Sequence, residues 1–207
     1  PLYSQEYIDL YKANAPSDQY PDTDWRKEVF SEPGIQQSYG ITGTGGNDTA
    51  RLLVSLNYIN QQGNMMNTGF ERYGVRINTD MTPIQKLNIS VDLNVNITRR
   101  WEPGVGFGDV LYQANRTNPI YAAYYENGKR LAEGNQGINP VALASPDAGK
   151  NEYMYSDISA VGKVVYDVID GLKATLLFSP GFVYNNEKAY TRKCELQSLD
   201  YAVTYFN

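Results

Sequence analysis

The stretch Leu87-Asn88-Ile89-Ser90-Val91-Asp92-Leu93-Asn94-Val95-Asn96-Ile97 decides the fold class. Every odd position is Leu, Ile or Val, and every even position is Asn, Ser or Asp. A period of two is the signature of a β-strand, whose side chains alternate between faces. One face of this strand is aliphatic and the other polar. Just upstream, Tyr73-Gly74-Val75-Arg76-Ile77-Asn78 alternates in the same way. The turn-rich residues 79–86, with Pro83, join the two arms, so the unit reads as a β-hairpin. Two environments suit it. In a soluble sandwich the aliphatic face enters a core. In a membrane barrel it meets lipid, and the polar face lines a wet lumen. The run from Leu87 to Ile97 has the roughly 9–11 residues of a tilted membrane-spanning strand. On that reading Arg76, Asn78, Ser90, Asp92 and Asn94 face the lumen.

Alternation recurs along the chain and predicts strands at about 35–44, 50–61, 70–79, 86–99, 155–168 and 171–186. Leu52, Val54, Leu56 and Tyr58 share one face of the second. Ile158, Ala160, Val164, Tyr166 and Val168 share one face of the fifth. Leu172, Ala174, Leu176, Phe178, Phe182 and Tyr184 do so in the sixth, where Pro180 predicts a local break because it cannot donate to a ladder. The connections at 45–49, 79–85 and 169–170 are short. Those at 1–34, 62–69, 100–154 and 187–207 are longer. In an up-and-down meander this puts tight turns at one end and long loops at the other, as in outer-membrane barrels. Tyr58, Tyr73 and Tyr184 fall on the aliphatic face near the long-loop end, and Tyr166 near the turn end.

Upstream of the strands, Ser4 is placed to N-cap a helix that stops at Pro16. Asp22-Thr23-Asp24-Trp25 reads as a second helix start, with Trp25 as a packing anchor. The expected organisation is a loop with short helices over 1–34, then a partial barrel over 35–207 with the long loop 100–154.

Composition narrows the function. The 207 residues carry a net charge of −5, which speaks against a nucleic-acid footprint. No run of about 20 apolar residues exists, so no transmembrane helix is predicted. There is no histidine, hence no Ser/His/Asp triad, and one cysteine, Cys194, hence no internal disulfide. Gly104-Val105-Gly106-Phe107-Gly108 lacks the Gly-Lys-Ser/Thr ending of a phosphate-binding loop and reads as the flexible start of the long loop. No enzyme activity and no cofactor is expected. Tyrosine is abundant, at 18 residues, and its amphipathic ring suits both membrane interfaces and carbohydrate surfaces. The long loop gathers Trp101, Arg116, Tyr121, Tyr124 and Tyr125, the candidate contacts to a substrate or a lid protein. Packing of these rings within the loop is the alternative.

Several segments resemble the SusC/RagA family of TonB-dependent outer-membrane transporters. Ser4-Gln5-Glu6-Tyr7-Ile8-Asp9-Leu10-Tyr11 is similar to its "EYAxLYN" segment, and residues 20–30, Tyr20-Pro21-Asp22-Thr23-Asp24-Trp25 onward, to "YPNTDWxxEVF". Residues 36–47 resemble "QNYNLSVSGGN", residues 58–63 "YxxQxG" and residues 70–78 "FxRYxxRxN". Asn118-Pro119-Ile120-Tyr121, Asn127-Gly128 and Asn139-Pro140 resemble "PIYP…DG…NP". The likeness covers nearly all of residues 4–190 and its motifs come in order. It implies an all-β, antiparallel up-and-down meander, part of a large transmembrane β-barrel, with short helical segments near the N-terminus and in a long extracellular loop. It further implies location in a bacterial outer membrane, import of an oligosaccharide or peptide, a SusD-like lipoprotein lid, and energy from the TonB complex through a plug that this chain lacks. Six strands are fewer than the roughly eight of the smallest bacterial barrels, so further strands are expected from sequence beyond this chain. A soluble, secreted glycan-binding sandwich is the competing expectation.

Overall fold

The computed structural model describes residues 3–125, 129–200 and 203–206, the last four by backbone alone. Asn127 and Gly128, part of the loop motif, lie outside the described residues. The chain opens with helix α1 (Gln5–Asn14), N-capped by Ser4, whose hydroxyl accepts from the Tyr7 N–H, and α2 (Trp25–Val29), capped by Asp24 accepting from Lys27 N–H. Long strands follow: β1 (Gln36–Gly46), β2 (Ala50–Gln62), β3 (Gly69–Ile84) and β4 (Leu87–Pro103). The long connection then holds α3 (Phe107–Arg116), the short pair β5 (Tyr124–Tyr125) and β6 (Arg130–Leu131), α4 (Pro140–Ala144) and a 3-10 turn at Pro146–Ala148. Strands β7 (Gly149–Ile169), β8 (Leu172–Phe178) and β9 (Gly181–Thr191) complete the main sheet, and β10 (Cys194–Gln197) with β11 (Val203–Phe206) forms a terminal hairpin.

The main sheet is an antiparallel meander in the order β1-β2-β3-β4-β7-β8, with β9 also on β7. β8 lies along residues 162–169 of β7 and β9 along residues 149–159. They therefore form one lane broken at Ser179-Pro180. The Pro180 carbonyl still accepts from Ala160 N–H at 3.0 Å. Phe178 pairs with Gly162 and Phe182 with Ile158, so the break preserves the facing.

The register sorts the two faces row by row. Ile41, Leu56, Val75, Val95, Ile158 and Phe182 stand side by side across all the lanes. The next row toward the loops is Tyr39, Tyr58, Tyr73, Ile97, Ser156 and Tyr184. On the other face Thr42, Ser55, Arg76, Asn94 and Ser159 align. A sandwich would bury one of these faces. Within the lanes only Gly74, Pro103 and Gly149 are buried, so no second layer covers either face among the described residues. The soluble-sandwich expectation loses its core. The buried apolar residues, Trp25, Val29, Met65, Val110, Val141 and Leu143 among them, sit instead in a helical cap at the long-loop end.

Three details depart from the alternation pattern. Residues 79–84 continue β3 and are not a turn; the turn is Gln85-Lys86, and Pro83 occupies a bulge between Met81 and Ile84 where no ladder donor is missed. β4 and β7 run on to Pro103 and back to Gly149, so the connection spans 104–148. Polar and aromatic pairs such as Arg100 over Tyr153 replace the alternating pattern there, which hides the strands from a periodicity argument. The glycine-rich segment caps α3 through Gly106, at φ 87°.

Candidate functional site

Two surfaces hold the residues singled out from the sequence. The first is the cap. Its core is Trp25 and Val29 of α2, Val110 and Ala114 of α3, and Val141, Leu143 and Ala144 of α4. Trp25 is 3% exposed, and its indole N–H donates to the Asn118 carbonyl at 3.0 Å, so it anchors the N-terminal segment to the loop. Asn139 is fully buried and holds four partners. Its amide donates to Ala123 O at 2.8 Å and Ala132 O at 2.7 Å, and its oxygen accepts from the Val141 and Ala142 N–H groups. One side chain thus ties the strands β5–β6 to the start of α4.

The candidate contact residues fall into separate settings. Tyr125 is buried with Ala122 and Ala132. Tyr121 and Tyr124 are half-buried against the Trp25 core. Burial pushes the phenols of Tyr124 and Tyr125 up, with Glu28 adding to the first and Glu133 and Asp18 to the second, so both stay neutral donors. Arg116 is exposed on α3, 5.3 Å over the Tyr112 ring, and donates to its hydroxyl at 3.3 Å. Trp101 stands on the aliphatic side of β4, above the tyrosine row, under the Lys150 ammonium at 4.9 Å. The structure brings the three tyrosines together in the cap but leaves Trp101 and Arg116 outside that cluster.

The second surface is the polar face of the sheet. Arg76, Asn78, Ser90, Asp92 and Asn94 all lie on it. Arg76 donates through Nε to Asn78 Oδ1 at 2.9 Å, and Asn78 donates to Asp92. These bonds fix a charged arginine on rigid strands. A hollow of about 910 Å³ beside it is lined by Thr42, Arg51, Ser55, Arg76, Asn78 and Asp80. This face is not uniformly polar: Val161, Leu177 and Val183 break it near the β8–β9 edge.

Sequence reasoning missed an aromatic ladder. Tyr3 stacks on Tyr7 at 5.5 Å, Tyr7 meets Tyr11 at 5.0 Å and Tyr11 meets Tyr20 edge-on at 5.2 Å. With Lys12, Pro119 and Ile120 they line a cleft of about 440 Å³. Burial, then the hydrogen bond with Tyr7, raises the Tyr11 phenol above its ordinary value. The signal was tyrosine at positions 3, 7 and 11, one helical turn apart.

Against known proteins, no family profile matches the chain. It is 30% identical over 192 residues to TonB-dependent receptor P3 of Formosa agariphila, covering 86% of this chain and 18% of that protein. The chain resembles a segment of TonB-dependent receptors. A second such protein of that organism, TonB-dependent receptor P26, is 28% identical over 181 residues, covering 83% of this chain and 17% of its own length. The chain thus spans less than a fifth of the length of the curated relatives it matches.

Proposed function

We propose that this chain is part of the barrel wall of a SusC-like, TonB-dependent outer-membrane transporter that imports an oligomeric nutrient, a glycan or a peptide. One observation carries the reading: the sheet has a continuous aliphatic face that nothing covers among the described residues, bounded by a row of tyrosines. From Leu87 to Ile97 that face rises about 24 Å if the strand tilts near 45°, close to the roughly 25 Å apolar band of outer-membrane barrels. Water would not tolerate so large an apolar surface, whereas lipid requires it. The names of the two relatives agree with this reading. Ile41 and Phe182, each 69% exposed, stand on this face in the two outermost lanes. Further strands of the full protein would pair there, because an open edge in lipid leaves backbone groups unsatisfied.

On this reading the tight turns at 47–49, 85–86 and 170–171 are periplasmic and the cap is external. The lumen is lined by the Arg76–Asn78–Asp92 face, and the cap receives substrate or a SusD-like lipoprotein lid. TonB acts through the rest of the protein. The test uses the full-length protein in its own outer membrane. Detergent, but not carbonate, should release it. An epitope tag after Gln136 should be read on intact cells and one after Lys86 only after permeabilisation. Growth on the cognate oligomer should require the protein and TonB. Release by carbonate alone would overturn the barrel reading, and a surface-exposed Lys86 tag would reverse the orientation.

A further inference from the structure

Above the tyrosine row, the aliphatic side of the sheet changes character abruptly. The next row holds Asn60, Glu71, Arg99, Met154 and Asn186, and the one above it Gln62, Gly69, Trp101, Glu152 and Lys188. Lys150 and Tyr190 pair in the row beyond. The Arg99 guanidinium bridges both carboxylates, lying 3.5 Å from Glu71 and in contact with Glu152. That leaves the triad with one net negative charge, felt by Lys150 and Lys188 through Glu152, and the three further cations make the band as a whole net positive. Lys150, Lys188 and Arg192 make no ion pair among the described residues. Lys150 lies over Trp101 at 4.9 Å and Arg192 over Tyr190 at 5.0 Å. Lys188 and Arg192 are exposed, and Lys150 half-exposed.

We infer that this band is a binding site for the phosphate-bearing headgroup of a membrane lipid. The inference rests on the barrel reading, which sets the apolar belt in the hydrocarbon and this band at headgroup depth. Three features point to that ligand. The cations sit on the lipid side of the sheet, not the lumen side. They are continuous with the belt that would hold the acyl chains. Each of two cations is backed by an aromatic ring, which anchors it at the interface without neutralising it. The opposite end of the belt has no such cluster: there Ile84, Leu87, Tyr166 and Ala174 fill the aliphatic side. The site is therefore specific to one leaflet.

The test uses the full-length protein in neutral-lipid nanodiscs doped with phosphatidic acid or with diacylglycerol of the same chains, read by native mass spectrometry. The wild type should retain phosphatidic acid and not diacylglycerol. The variant K150Q/K188Q/R192Q should lose most of that retention, about fivefold per cation, while inserting normally. R51Q/K163Q, which removes two cations from the other face, should retain the lipid as the wild type does. Inorganic phosphate and glycerol phosphate test for a free-phosphate site. Failure of either to displace the lipid at millimolar concentration supports the lipid headgroup, and ready displacement overturns it. Equal retention by the wild type and the triple variant, with both inserted, overturns this inference alone. Failure of the wild type to insert overturns the barrel reading beneath it.

Discussion

The indole of Trp101 on β4 lies across Gly69 on β3, in the space a side chain at residue 69 would fill. A Cβ at Gly69 would overlap the six-membered ring. The glycine is therefore a seat for the ring, and the ring covers backbone that glycine leaves bare. Gly69→Val should displace Trp101 and cost about 1–3 kcal/mol, the usual range for overpacking. Gly69→Ala should cost less, because one methyl needs a smaller shift. Tryptophan emission and the thermal unfolding of the full-length protein check both. Unchanged emission in Gly69→Val would mean that the ring does not depend on this seat.

The facing of β4 predicts a labelling pattern. Val91, Leu93 and Val95 share the aliphatic side with Ile89, while Ser90, Asp92 and Asn94 share the other. Single cysteines at the even positions of the full-length protein should react with a water-soluble thiol reagent, and those at the odd positions should not. Arginine at Val91 or Leu93 should destabilise the barrel by about 2–4 kcal/mol near the midplane, and at Asn94 by much less. Equal labelling of both sets would remove the membrane reading of this strand.

That pattern was legible in the sequence because burial on one side of a strand leaves a period of two, and all the lanes were found from it. The ends of β4 and β7 were not. Past the tyrosine row both faces carry polar and aromatic groups, as with Arg99 opposite Met154 and Arg100 opposite Tyr153, so no periodicity survives. The cap was legible only in the helix start at Asp24 and in Trp25 as its packing anchor. Its packing joins residues about 90 or more positions apart, as in Trp25 with Asn118, and local spacing cannot encode such a contact. The charge band above the belt escaped notice because its charged members come from four strands, β3, β4, β7 and β9.

Asn139 predicts how the cap fails. Asn139→Ala removes four hydrogen bonds and takes the Asn139 partner from the Ala132 carbonyl and from the Val141 and Ala142 N–H groups in a buried site, while the Ala123 carbonyl still accepts from the Ala132 N–H. Each buried group left unsatisfied costs about 1–3 kcal/mol. A total loss of roughly 3 kcal/mol or more should appear as local opening, because the sheet does not depend on this residue. Limited proteolysis should cut within 104–148 in the variant while the barrel of the full-length protein stays folded. Cleavage equal to the wild type would show that β5–β6 is held by other contacts.

The tyrosines of the cap separate recognition from packing. Tyr121 and Tyr124 lean on the Trp25 core and Tyr125 is buried, so alanine at all three removes about 1.5–3 kcal/mol per well-buried ring and loosens the cap itself. A loss of uptake in that triple variant alone therefore cannot assign the rings to substrate. Phenylalanine at Tyr121 and Tyr124 keeps the ring and deletes the hydroxyl. If these hydroxyls bind the oligomer or a lid protein, the double phenylalanine variant should show weaker uptake or weaker co-purification of that partner, with protease resistance of the cap unchanged. Arg116→Gln, on the exposed face of α3, should have the same signature if α3 is part of the contact. Normal growth and normal co-purification in both variants would assign these rings to packing and move the search for substrate contacts to the Tyr3–Tyr7–Tyr11 cleft and the Arg76 face.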